Sequence, residues 1–337
     1  MKRKIVFFVL LLLSALFLSS NFLMAKSFKQ PITIVCAFSA GGATDQVNRA
    51  LADGMKEYLK VTVNVVNMPG NNGGTAAEYV WLKPHNGYYI LGTSETGLFL
   101  PVNGGHYTTT KDWEYFMAGG SPGAVLVPYD SPYKSFKELI SAAKASPGSI
   151  KVAASVAGGL WHTKWALIAK AAGIKTEILQ MNGSKPSLMA GVVGDADVVH
   201  VSIGEALSYL KEKQLRVLCM SEKEQFDVPK IGKIPAITDD IPALNKILPL
   251  PMWLGLALPN NTPRPVMTEL IKAFKYAMKS KPITEVLETQ LATPYGFYGN
   301  KAKKIAQDLE SKFCWTLYDL GTAKKNPAEF KIAKPKD

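Results

Sequence analysis

The chain is poor in the residues from which most catalytic and metal sites are built. Four histidines and three cysteines are spread over 337 residues. Cys36, Cys219 and Cys314 lie far apart and form no C-x-x-C pair, so a zinc knuckle or thioredoxin-like centre has no support. Cys36 sits inside an apolar run and reads as a small buried hydrophobe. A Cys219–Cys314 disulfide stays open in an oxidising compartment. His85, His106, His162 and His200 fall in separate turns; the first two read as loop surface, the others as packed side chains. There is no G-x-S-x-G elbow, H-E-x-x-H pair, Walker loop or G-x-G-x-x-G turn. No internal repeat is present. No metal or organic cofactor is implied, and nothing favours an enzyme.

What the chain does have begins at its N-terminus. Lys2, Arg3 and Lys4 precede an apolar run over residues 5–13 that continues, with small interruptions, to Leu23. This reads as a secretory signal peptide over residues 1–25, cleaved near Ala25. An uncleaved anchor is the competing reading, but no second apolar segment of that length follows. Loss of Lys2, Arg3 and Lys4 takes the formal charge from +12 to +9. The remaining lysines are scattered, which describes a solvated basic surface and no nucleic-acid partner. The mature protein is expected in the periplasm, as a monomer.

Residues 31–49 organise the rest. Ile32 to Phe38 is almost continuously apolar and β-branched, the pattern of a strand buried on both faces. Gly41 and Gly42 then turn the chain into a helix that Ala43 or Thr44 opens, with Asp45 in its first turn. Such a turn can be a plain capped helix start or an anion site made of N–H groups.

Further on, strands and helices alternate. A β-α-β-α-β order fills residues 31–94, and a second α/β unit occupies about 125–220, with a capping box at Ser135 and Glu138. Residues 221–251 read as irregular, 252–258 as a returning strand, and Thr262-Pro263 as the start of a helix. The last helix presents Ile305, Leu309, Phe313 and Leu317 at four-residue steps, and the tail after Thr322 reads as frayed.

Several stretches, in order, resemble the solute-binding proteins of tripartite tricarboxylate transporters, the TctC or Bug family. An F-x-P-G-G-x-x-D turn corresponds to Phe38-Ser39-Ala40-Gly41-Gly42-Ala43-Thr44-Asp45. An N-R-P-G-x-x-G-G loop corresponds to Asn67-Met68-Pro69-Gly70-Asn71-Asn72-Gly73-Gly74. Pro84-His85-Asn86-Gly87-Tyr88 through Gly92-Thr93-Ser94 is similar to P-D-G-Y-T-L-L-x-G-T-S. Lys111-Asp112-Trp113, the stretch from Tyr133 to Gly148, Gly158-Gly159-Leu160-Trp161-His162, and Asn182-Gly183-Ser184-Lys185-Pro186 complete the set.

The resemblance implies a fold: an α/β, two-domain periplasmic binding protein, type II-like. Its two lobes are joined by two crossing strands, placed near 124–127 and 252–257. One lobe would hold residues 26–124 and 252–337, the other 125–251. It also implies capture of a small organic carboxylate by hinge closure and delivery to membrane permease subunits. The alternatives are an exported hydrolase using Ser94 or Ser184 with His162 or His200, or a ligand-sensing partner protein on the same fold.

The ligand set that follows is Phe38, Ala40, Gly42, Ala43, Thr44, Asp45, Thr93, Ser94, Gly158, Gly159, Leu160, Trp161, Gly183, Val201 and Ser202. Asp45 is read first as helix stabiliser and second as ligand acceptor. Ser94 is expected to touch ligand, and Glu95 to face solvent. Ala40 departs from the family proline. Gly159, Leu160, Trp161 and Val201 depart from polar family positions, which points to a ligand whose far end is apolar or aromatic; the alternative is a dicarboxylate whose second acid group is held by the N–H groups of Gly158–Trp161 with help from Lys164.

Overall fold

A computed structural model describes residues 28–154, 158–179, 181 and 183–335. Residues 1–25, read above as a signal peptide, and Asn182 lie outside the described residues.

Two sheets carry the fold. The first contains β1 (Ile32–Cys36), β2 (Val63–Asn67), β3 (Tyr89–Ser94), β4 (Trp113–Gly120), β12 (Leu254–Pro259) and β13 (Thr293–Tyr298), in the order β13-β4-β12-β3-β1-β2. β1 runs parallel to β2 and β3, and β12 runs antiparallel to both β3 and β4. The Ile-Thr-Ile-Val-Cys sequence of β1 suits this central place, where four of its five residues are buried. Helix α1 (Ala43–Leu59) covers β1 and packs on α9 (Arg264–Ala277) and α10 (Lys281–Thr289). Gly54 permits that approach, because a Cβ there would lie 2.6 Å from the Cα of Ala277. Two short helices, α2 (Gly74–Trp81) and α3 (Leu100–Asn103), follow β2 and β3.

The second sheet contains β5 (Gly123–Pro128), β6 (Lys151–Ala153), β7 (Glu177–Leu179), β8 (Val198–Ser202) and β9 (Leu215–Met220), in the order β7-β6-β8-β5-β9. Its helices are α4 (Phe136–Ala145), α5 (Leu160–Ala172), α6 (Ser184–Val192) and α7 (Ile203–Lys211). The Ser135 hydroxyl caps α4 by accepting from the Glu138 N–H. Gly173 ends α5 in the left-handed conformation, with φ +64°.

The chain passes between the sheets twice. Ser121 and Pro122 alone separate β4 from β5, and residues 248–253 lead into β12. The passages lie slightly before the expected crossings: 124–127 is inside β5, and of 252–257 only Met252 and Trp253 precede β12.

Four sequence readings are corrected. Residues 221–251 contain a hairpin, β10 (Phe226–Val228) with β11 (Gly232–Ile234), and a short helix, α8 (Ile237–Asp240). The strand β13 was not visible, because its Thr-Pro-Tyr-Gly-Phe-Tyr sequence carries a proline and a glycine; it sits at the sheet edge, where both are tolerated. Thr262 does not cap α9, since its hydroxyl donates to the Pro259 carbonyl. The tail is docked rather than frayed. After α11 (Gly299–Asp319), Asn326 and Glu329 form a capping box, Ile332 is buried, and the Trp315 indole N–H donates to the Ile332 carbonyl at 3.1 Å.

On α11, Leu309, Phe313 and Leu317 are buried as expected, while Ile305 is only half-buried. Four-residue steps rotate by about 40° each around a helix, so a row of four drifts off the face. Ala302 and Ala306 take the inner positions instead. Truncating Phe313 to alanine would cost about 3–5 kcal/mol. Among the described residues, no helix is long and apolar enough to cross a membrane.

Candidate functional site

Because β1, β2 and β3 are parallel, their C-terminal ends share one edge of the first sheet; β6, β7 and β8 do the same in the second. Ligands of α/β folds gather at such edges. Two contacts show that the edges face each other. The Asn103 amide donates to the Gly158 carbonyl at 3.2 Å. Gly204, in the first turn of α7, lies against Gln290, where a Cβ would come within 1.9 Å of the Gln290 carbonyl oxygen.

On the first edge, the turn before α1 exposes Ala40, Gly41 and Gly42 and leaves Phe38 half-buried. Gly41 takes φ +80°, which glycine adopts without strain. Asp45 is buried and organises this turn. Its carboxylate accepts from the Gly41 N–H at 2.9 Å, the Arg49 guanidinium at 3.0 Å and the Asn67 amide at 2.7 Å. Burial would raise this carboxyl, but the bonds from Arg49, Gly41 and Asn67 outweigh it and hold the pKa below its ordinary value. Asp45 is therefore the stabiliser of the turn, and the Gly41 N–H is already used. No side chain caps α1, so the N–H groups of Ala43, Thr44 and Asp45 remain available at the positive end of its dipole.

Thr93 and Ser94 end β3, both buried. The Ser94 hydroxyl accepts from the Thr96 N–H, and the Thr93 hydroxyl donates to the Ser94 carbonyl. Glu95 does not face solvent. It is 4 % exposed, accepts from the Trp253 N–H at 3.0 Å and from the Thr96 hydroxyl, and burial pushes its carboxyl up to about 7. The signal missed in the sequence is its position directly after a buried strand end.

On the second edge, α5 begins after Gly159 and α6 after Gly183, and no side chain caps either helix. By contrast, α7 is closed: Ser202 accepts from the Glu205 N–H and donates to its carboxylate. Burial raises the Glu205 carboxyl, against hydrogen bonds from Ser202 and Ser184. Leu160, Trp161 and Val201 are 2 %, 5 % and 0 % exposed, so their side chains belong to the core of their own lobe. The Trp161 ring lies edge-on to His200 at 5.4 Å and would meet a Cβ on Gly123 at 2.5 Å. The Trp161 ring is thus packed against Gly123 and His200 instead of standing as an exposed apolar wall. Lys164 is also committed, with its ammonium 2.6 Å from the Glu222 carboxylate.

The histidines give no catalytic pair with Ser94 or Ser184. His162 Nδ1 accepts from the Gly158 N–H, and burial lowers its pKa. His200, wholly buried, bonds to the Trp161 carbonyl and the Ser221 hydroxyl, and burial drives its pKa down to about 3. His106 is buried rather than on the surface, with Nε2 2.7 Å from Glu78. Among the described residues, no group of three His, Cys, Asp or Glu side chains could hold a metal ion.

Comparison with known proteins adds to this geometry. The family model described as tripartite tricarboxylate transporter family receptor matches residues 47–317. A UPF0065 protein from the gbd 5′ region of Cupriavidus necator is 28% identical over 311 residues, covering 89% of this chain and 90% of its own. Two solved structures share the fold. Rhodopseudomonas palustris MatC with bound malate has a TM-score of 0.73 at 20% identity, covering 86% of this chain and 99% of its own. R. palustris Rpa4515 with adipate has a TM-score of 0.76 at 21% identity, covering 88% and 98%.

Proposed function

We propose, since this chain belongs to the tripartite tricarboxylate transporter receptor family, that it is a periplasmic receptor for a small organic dicarboxylate. The ligand would lie between the two sheet edges, with one acid group at each. The observation that carries this reading is that uncapped helix starts stand on both edges: α1 on one, α5 and α6 on the other. Unpaired first-turn N–H groups favour anions. The relatives with adipate and malate are in keeping with it.

The residues offered for contact are Ala40, Gly42, Ala43 and Thr44 in one lobe and Gly158, Gly159, Leu160, Trp161 and Gly183 in the other, chiefly through the first-turn N–H groups of Ala43, Thr44, Leu160 and Trp161, since those of Gly42 and Gly158 donate to the Ser39 carbonyl and His162 Nδ1. Phe38 would flank the first acid group; Thr93, Ser94, Asp45, Val201 and Ser202 would support the site from beneath. The lobes would comprise 26–124 with 252–337, and 125–251, although β5 of the second sheet already begins at Gly123. A monomer would close on ligand and pass it to permease subunits, after export directed by residues 1–25.

Calorimetry with adipate and malate against hexanoate and butanoate tests the reading. A dicarboxylate preference of more than tenfold, about 1.4 kcal/mol, is expected. Equal binding of the monocarboxylates, or no binding of any of them, would reject it.

A further inference from the structure

We propose that Asn103 is the latch that holds the two lobes together around the ligand, acting as a positioning residue for capture. The inference rests on the reading of the protein as a binding receptor, and it deepens it by naming what fixes the closed state.

Asn103 ends the short helix α3 in the first lobe and is 6 % exposed. Its amide donates to the Gly158 carbonyl in the second lobe, 55 residues away, at 3.2 Å. It is a direct side-chain hydrogen bond between the two lobes, outside the connecting segments 121–122 and 248–253. On separation of the lobes this donor would face water in place of the Gly158 carbonyl, so the bond between lobes exists in one state only. That is the property a latch requires.

Both partners are mounted rigidly. Behind Asn103, the Val102 carbonyl accepts from the N–H groups of Lys324 and Lys325 at 2.8 and 3.1 Å, so the docked tail fixes α3. Gly104 then ends the helix with φ +71°. Ahead of it, residues 95–99 form a helical turn that runs without a break from the end of β3, so α3 is continuous with the ligand edge. On the other side, Gly158 immediately precedes Gly159, the residue that opens α5. Its N–H donates to His162 Nδ1 while its carbonyl accepts from Asn103, so the residue is held from its own lobe and from the opposite one. Gly158 has φ +71°, which favours glycine, and a Cβ there would stand 3.1 Å from the Asn103 amide nitrogen, so the two residues are in close contact. Lobe closure and the orientation of the α5 start are therefore tied to one bond.

The test compares wild type with Asn103→Asp and Asn103→Ala. The aspartate keeps the shape and removes the donor, placing an acceptor against a carbonyl. Two spin labels, one on the exposed face of each lobe, report lobe separation by pulsed electron resonance without ligand. Stopped-flow dissociation of adipate reports the ligand side. The expected result is a longer mean separation in both variants and adipate dissociation about three- to tenfold faster, with an association rate within twofold of wild type. Unfolding midpoints at pH 7 should stay close to wild type, which separates a latch from a packing role. Unchanged separation in Asn103→Asp overturns the proposal. So does a shared fall in midpoint with no change in separation. Should wild type bind no organic acid, the receptor reading fails, while the label distances still decide whether Asn103 holds the lobes.

Discussion

The Asn67 amide donates to Asp45 Oδ1 at 2.7 Å, tying the end of β2 to the turn that opens α1. The same amide also reaches the Phe38 carbonyl, so one side chain spans the whole turn. Asp45 in turn gathers Gly41 and Arg49. The uncapped start of α1 is therefore shaped by a buried carboxylate whose oxygens are engaged by Gly41, Arg49 and Asn67. Its charge is balanced by Arg49, so α1 presents its dipole to an incoming anion without a bare negative charge beside it.

Replacement of Asp45 by asparagine should lower stability by about 1–3 kcal/mol at pH 7, the range for loss of a hydrogen bond to a charged buried group. The pKa of Asp45 is depressed in the folded state, so its contribution is present above the ordinary carboxylate value and disappears as pH falls through the folded one. Denaturant titrations of wild type and Asp45→Asn should converge toward acid. A constant gap down to pH 3 would contradict the assignment.

Glu95 works in the opposite sense. Its pKa rises from 4.5 to about 7 because burial disfavours the ionised form. The folded state thus holds this proton more tightly than the unfolded one, so stability falls as pH rises between about 4.5 and 7 and stays low above. That rise from 4.5 to about 7 is on the order of 3 kcal/mol. Glu95→Gln should raise the unfolding midpoint at pH 8 and have little effect at pH 5, since glutamine mimics the protonated acid and the Thr96 hydroxyl can turn to accept. Thermal scans at both pH values check this; a lower midpoint at pH 8 would show that the ionised form is the useful one.

Gly204 reports on the contact between lobes. A Cβ there would sit 1.9 Å from the Gln290 carbonyl, a backbone atom that cannot swing away. Gly204→Ala should enlarge the radius of gyration in solution scattering and weaken adipate binding more than tenfold. Identical scattering curves would mean that the lobes do not meet at this point.

All three cysteines are free and buried, and burial raises each thiol pKa. Ellman's reagent should find no reactive thiol in the native protein and three after denaturation without reductant. Release of one thiol rather than three would indicate the Cys219–Cys314 bridge that the sequence left open.

The sequence by itself determined the elements whose physics is local. A β-branched run followed by two glycines made β1 and the turn before α1, and the placement of Ser135 with Glu138 marked one helix start. The ordered motifs from Phe38 to Lys185 identified the family and its two-lobe architecture. Tertiary structure alone decided what depends on a distant partner. Glu95 is buried because the Trp253 N–H, 158 residues away, supplies its hydrogen bond. Trp161 turned from an expected ligand wall into core because Gly123 and His200 leave a slot for its ring. The tail is ordered because α3 and α11 offer it acceptors and donors. Composition fixes which side chains can be buried; only the packing of remote segments fixes which ones are, and so which helix starts are left open to an anion.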